Sequence, residues 1–198
     1  MEAQEKQFNE QQALGLVNEM ISIAKGNIYN SYFYFILWGW ISVISGIATY
    51  ILLEMKMYEY TGWLWAVMGP LGGLASFIYG RSQGKKKKVR TFIDSCIRYT
   101  WIAFFISGAI LYVYFCVTAQ YLLVNPVVLL SAGTATFMTG VLLKFRPLIV
   151  GGILLWTFCA VSLPIHTEVQ SLVASVGFLC GYVIPGYMLK AKYDKENV

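Results

Sequence analysis

A chain of 198 residues that is 58% hydrophobic and only 13% charged, with a mean hydropathy of +0.60, falls outside the composition of soluble globular domains and reads as an integral membrane protein. Its net charge of +5 sits in short segments between apolar runs. Such segments suit anionic lipid better than nucleic acid, because no folded reading element accompanies them.

Residues 1–12 are polar and carry Glu2, Glu5, Lys6 and Glu10, without the basic, apolar and small-residue succession of a signal peptide. Phe8, Leu14, Val17, Ile21, Ala24 and Ile28 then recur at helical spacing, with Glu10, Asn18, Glu19 and Lys25 on other faces. This predicts an amphipathic helix over about residues 8–25, lying on the membrane surface or against a bundle. Residues 1–30 form a cytoplasmic polar segment in this reading, ahead of a transmembrane domain over 31–190 and a cytoplasmic tail over 191–198.

A hydrocarbon core about 30 Å thick needs roughly 20 apolar residues per helix. Six stretches qualify, at about residues 31–53, 62–80, 93–117, 126–143, 148–163 and 169–189. The fold class expected is therefore all-α, a polytopic bundle of six transmembrane helices preceded by the amphipathic helix. In the second span Pro70 removes a backbone donor, and Gly69, Gly72, Gly73, Ser76 and Gly80 let another helix come close. Asp94 and Arg98 stand four apart in the favourable acid-first order at the start of the third span. Pro126 suits the start of the fourth, Pro164 stops the fifth, and the sixth passes Pro185 and Gly186.

Charge orients the chain. Of its 15 Lys and Arg, Lys56 alone falls in an odd-to-even connection, and the others fall in the termini, the basic loop from Arg81 to Arg90 with Arg98 at its edge, and the turn at Lys144 and Arg146. The positive-inside rule then places both termini in the cytoplasm. The run Lys85, Lys86, Lys87, Lys88 and Arg90 is a topology signal and a candidate contact for anionic lipid.

Two weak internal matches suggest repeated two-helix hairpins. Ile44-Ser45-Gly46 with Tyr50 matches Ile106-Ser107-Gly108 with Tyr112, and Gly73-x-Ala75-Ser76-Phe77-x-x-Gly80 matches Gly133-x-Ala135-Thr136-Phe137-x-x-Gly140. Such patterns also arise by chance in the small alphabet of membrane spans.

The chemistry available is sparse. No ionisable side chain lies deep in a predicted span, which argues against a proton-coupled pump or a voltage sensor. The scattered Cys96, Cys116, Cys159 and Cys180 and the single His166 lack metal-ligand spacing, and His166 with Glu168 in a connecting turn lacks a nucleophile partner. Gly69 to Gly73 lacks the Lys-Ser/Thr of a phosphate loop. No catalytic residue, metal site or cofactor is assigned. Two candidate features remain. Pro70, Gly72, Gly73, Pro185 and Gly186 could be helix breaks lining a cavity, and Trp38, Trp40, Trp101 and Trp156 could line an aromatic pocket, although such residues more often pack helices.

Tyr34 to Trp40, Lys-Phe-Arg-Pro-Leu-Ile-Val-Gly-Gly from Lys144, and Gly-Tyr-Val-Ile-Pro-Gly-Tyr-Met-Leu-Lys from Gly181 resemble an uncharacterised family of small bacterial six-span inner-membrane proteins. The resemblance covers the chain from the amphipathic helix onward and implies a bacterial cytoplasmic membrane, with no activity to transfer. The leading expectation is a small-molecule- or lipid-interacting protein of transporter or channel type. A non-transporting scaffold or sensor, binding a cytoplasmic protein through residues 8–25 and the basic run, comes second. An intramembrane enzyme comes third. Membrane lipids, a second copy of the chain and a cytoplasmic protein are the partners considered.

Overall fold

The computed structural model describes residues 31–86, 92–118 and 120–196, with the backbone alone for 83–86, 116 and 196. The amphipathic helix expected over residues 8–25, together with Lys87, Lys88 and Arg90, lies outside the described residues.

Every regular element among the described residues is helical. In chain order they are α1 (Tyr32–Glu54), α2 (Tyr58–Lys86), α3 (Phe92–Thr118), a 3-10 turn (Tyr121–Leu123), α4 (Val124–Leu142), α5 (Arg146–Ser162), α6 (Thr167–Phe178), a π turn (Leu179–Val183) and α7 (Ile184–Glu196). The last three run on as one rod. Five helices are long and apolar enough to cross a membrane, namely Tyr32–Glu54, Tyr58–Ser82, Phe92–Phe115, Tyr121–Leu142 and Thr167–Lys195. The stretch expected at 148–163 is helical but shorter, at 17 residues. At 1.5 Å per residue it reaches about 25 Å, near the lower limit for a span.

Several boundaries differ from the sequence reading for identifiable reasons. The second helix spans Tyr58–Lys86 rather than 62–80, because Tyr58, Glu59 and the residues after Gly80 are polar enough to leave a bilayer yet compatible with helix. Gly84, Lys85 and Lys86 are therefore the last turn of α2 rather than loop. The fourth helix starts at Val124, two residues before Pro126. The whole first turn has no intrahelical N–H bonds to lose, so proline is tolerated there beyond its first position.

Both short turns close in the same way. After α1, Met57 N–H donates to Leu52 O at 2.9 Å, and after α4, Phe145 N–H donates to Gly140 O at 2.9 Å. Each turn needs a left-handed residue, usually glycine, but here Lys56 (φ 58°) and Lys144 (φ 50°) supply it.

A core of four rods, α1, α4, α5 and α6–α7, is held by glycines. Lipid tails are as apolar as leucine, so helices in a bilayer associate through close packing rather than water exclusion. A Cβ at Gly140 would come within 2.6 Å of Ile149 N, one at Gly152 within 2.7 Å of Phe137 N, and one at Gly151 within 2.6 Å of Gly181 O. Gly39 meets Val183 and Tyr182 while Gly186 meets Ile36, so α1 and α6–α7 run antiparallel. Leu129, Leu148, Leu155 and Leu189 fill the centre and are fully buried.

The π turn has a local cause. Pro185 has no N–H for the carbonyl of Gly181, four residues earlier, and that oxygen faces the α-carbon of Gly151 on α5 instead.

α2 and α3 are attached more loosely. α2 packs on α1, where Gly72 meets Trp38 and Ile41 and Gly80 meets the Tyr34 hydroxyl. α3 packs on α4 and reaches α1 through Trp101 against Phe35, with ring centroids 5.7 Å apart, and through Phe105 against Trp38 at 5.4 Å. Their remaining faces carry outward apolar side chains such as Leu71, Leu74, Phe77, Ile106 and Ile110. Large apolar surface facing out along helices of this length is the pattern of lipid-facing spans.

Candidate functional site

The polar groups inside the core form a row of uncharged side chains. Ser45, Thr136, Thr139, Ser162, Gln170, Ser171 and Ser175 are all buried. Most of the hydroxyls are satisfied within their own helix. Thr136 and Thr139 donate to Ala132 O and Ala135 O, each at 2.7 Å, and Ser175 donates to Ser171 O at 2.8 Å. Back-bonding of this kind lets a hydroxyl enter an apolar core at little cost.

Three contacts cross between elements. Asn125 Nδ2 donates to Ser171 Oγ at 3.5 Å, Ser175 Oγ lies 3.4 Å from Val43 O, and Gln170 Nε2 donates to both Ser162 O and Ile165 O at 3.0 Å. Pro164 ends α5 and leaves the carbonyls there without helical donors, and Gln170 supplies them. Two atoms in this row have no hydrogen-bond partner, Gln170 Oε1 and Ser45 Oγ, both on fully buried side chains. An unmet buried polar group costs about 1–3 kcal/mol. Each of the two atoms thus keeps unused hydrogen-bonding capacity, Ser45 Oγ as donor or acceptor and Gln170 Oε1 as acceptor.

The sequence reading did not single out Gln170. Its signal was available: it is the one Asn or Gln inside any of the six predicted spans. Its amide carries no charge, so it stands outside the ionisable groups that mark a site within a span.

Of the helix breaks named from sequence, Gly72 and Gly186 meet different parts of α1, and Pro185 lies toward Gly151 of α5. Pro70 and Gly73 face outward on α2, with nothing within 4 Å of a Cβ at Gly73, whereas Gly72 is buried against Trp38 and Ile41. Pro185 and Gly186 are buried, Gly186 against Phe35 and Ile36. All three close contacts are helix-packing contacts.

The tryptophans likewise separate. Trp38 and Trp101 belong to one aromatic cluster through Phe105, and Trp38 Nε1 donates to Ser76 Oγ at 3.0 Å. Trp40 instead reaches the Tyr187 hydroxyl at 3.4 Å, and Trp156 lies against Phe137 with its indole N–H on Leu130 O at 3.2 Å. The four do not share one pocket.

One end of the bundle collects the start of α1, the end of α2, the α4–α5 turn and the end of α7, as the contacts Tyr32–Tyr193, Phe33–Tyr79 and Lys192–Phe145 require. Arg81, Lys144, Arg146, Lys190, Lys192 and Lys195 lie there. At the start of α3, the Arg98 guanidinium lies 5.2 Å from the centre of the Tyr99 ring. Among the described residues no cluster of three His, Cys, Asp or Glu comes together.

The fold thus defines the chain as an all-α bundle whose long helices have the length and composition of membrane spans. Comparison with protein-family models, curated proteins and solved structures finds no match.

Proposed function

We propose that the chain is a six-span protein of the bacterial cytoplasmic membrane, with both termini in the cytoplasm, that binds a small polar molecule or lipid between its spans in the manner of a transporter or channel. The observation that carries this reading is the buried uncharged row with two unpartnered atoms, Gln170 Oε1 and Ser45 Oγ. An apolar filling of the same shape would cost less in a bilayer, so polar groups there mark a place where polarity is used. Loosely attached α2 and α3 beside a glycine-locked core supply the part that can move.

The test is native mass spectrometry of gently extracted protein together with flux measurements in proteoliposomes. Wild-type protein retains a bound molecule or sustains flux, and Ser45→Ala with Gln170→Leu abolishes both. Absence of both from the wild type sinks the reading. A periplasm-active reporter that works when fused after residue 198 would overturn the even span count.

A second reading has its own support. The outward face of α2 has nothing within 4 Å of a Cβ at Gly62, Gly69 or Gly73, a smoothness suited to another helix, and it favours a scaffold or sensor that assembles in the membrane. A cytoplasmic protein would then engage residues 8–25 and the basic run. Cross-linking that captures only lipid at this face would remove that support.

A further inference from the structure

We propose that the turn between α4 and α5 is a site for an anionic phospholipid, with Lys144, Arg146 and Lys192 holding the headgroup phosphate. The proposal rests on the chain lying in a bilayer but not on transport.

Convergence of charge is the first argument. Phe145 is 7% exposed and packs into the core, fixing a point between the exposed Lys144 and Arg146. Lys192, on α7, reaches the same residue with its Nζ 5.7 Å from the Phe145 ring centre. A cation of α7 therefore lies beside the buried residue that joins Lys144 to Arg146. Arg146 also opens α5, where the positive end of the helix dipole favours an anion, and its guanidinium can bind two phosphate oxygens at once.

An apolar track beside Arg146 identifies the ligand as a lipid. Arg146, Val150 and Ile153 are spaced to share one face of α5, and Val150 and Ile153 are 53% and 46% exposed. A headgroup at Arg146 thus leads directly onto an outward apolar track that an acyl chain can follow, and a free phosphate would leave that track unused.

The backbone offers a control. Lys144 holds a left-handed conformation (φ 50°) that glycine adopts without strain, so Lys144→Gly removes the charge while easing the fold. Lys56 holds the same conformation (φ 58°) at the opposite end, in the turn between α1 and α2.

The experiment uses the full chain in non-ionic detergent, titrated with dioleoyl phosphatidylglycerol or dioleoyl phosphatidylcholine and read by native mass spectrometry. We expect one saturable phosphatidylglycerol site that phosphatidylcholine does not fill. At about 1 kcal/mol per cation, Lys144→Ala/Arg146→Ala/Lys192→Ala weakens it about a hundredfold and Lys144→Gly about fivefold, while Lys56→Gly leaves it unchanged. Thermal unfolding of Lys144→Gly no lower than that of wild type separates lost binding from lost fold, and this variant carries the test if the triple variant does not fold. Equal binding of the two lipids by wild type, wild-type affinity in Lys144→Gly, or an equal loss in Lys56→Gly overturns the proposal.

Discussion

Two helices carry the same small-residue pattern in opposite surroundings. In α4, Gly133 lies against Trp156 and Gly152 O, Phe137 lies against Gly152, and Gly140 lies against the backbone of Ile149. In α2 the corresponding Gly73 meets nothing, Phe77 is 63% exposed, and only Ser76 and Gly80 touch a neighbour, through Trp38 and the Tyr34 hydroxyl. Glycine at these spacings permits close approach on a helix face, but the partner's own surface decides whether approach occurs. α5 brings Gly152 to α4 and Gly151 to the π turn, whereas α3 does not lie along α2's open face. A shared pattern is therefore compatible with duplication of hairpins but does not impose a shared environment.

The largest effect that tests this contrast is Gly152→Leu. The contacts at that position are backbone and Cβ atoms of Phe137, which no rotamer change can relieve, so α4 and α5 would have to separate. Overpacking costs typically 1–3 kcal/mol and more where backbone must move. Gly152→Leu should therefore unfold at much lower temperature than wild type in detergent. Gly73→Leu should unfold no earlier than wild type, since the side chain enters open space and leaves glycine's poor helix propensity behind. Equal damage from both would mean that the open face of α2 is occupied in the assembled protein.

Next in size is a pair of opposite sign in the polar row. Gln170→Leu removes one donor from each of Ser162 O, which keeps the Ile165 N–H, and Ile165 O, and should cost about 1–3 kcal/mol. Ser45→Ala removes a hydroxyl that has no partner and should be neutral or stabilising. Unfolding in mixed micelles compares the two, and destabilisation by Ser45→Ala would reveal that its oxygen is engaged.

Much of the fold was legible because hydropathy and charge mark where a bilayer begins and ends. α1 and α3 lie within a residue of the expected 31–53 and 93–117. α2 was under-read at both ends because hydropathy measures the apolar core, and Glu59 and Arg81 to Lys86 continue a helix outside it. The π turn was foreshadowed by Pro185, but the approach of Gly181 O to Gly151 of another helix lies outside any local pattern. The candidate site was the least legible. Aromatic and glycine positions were found, yet their neighbours depend on packing: Trp38 and Trp101 share a cluster while Trp40 and Trp156 serve other contacts. Gln170 was overlooked because its amide carries no charge.

Trp38→Phe tests how loosely α2 is held. The substitution loses the Nε1 bond to Ser76 and part of the contact with Gly72 and Phe105, at about 1 kcal/mol for the hydrogen bond. Because α2 has few other attachments, the loss should appear as faster amide exchange along α2 with little change in α4 and α5. A uniform change across all helices would mean that α2 belongs to the same cooperative unit as the core.

The smallest expected effect gives the sharpest version of the contrast, since the effect of one methyl group changes sign between the two helices. Gly73→Ala adds a Cβ into open space and reduces the backbone freedom that glycine retains in the unfolded chain, so it should stabilise α2 by about 0.5–1 kcal/mol. Gly133→Ala gains the same helix preference, but its methyl would come within 2.7 Å of the Trp156 ring and 3.0 Å of Gly152 O. The indole would have to give way and with it the bond from its N–H to Leu130 O, so the net effect should be destabilising. Paired melting curves for the two variants read the difference directly. A stabilising Gly133→Ala would show that α4 and α5 can part by a few tenths of an ångström without loss, and glycine-locked packing would then no longer distinguish the core from α2.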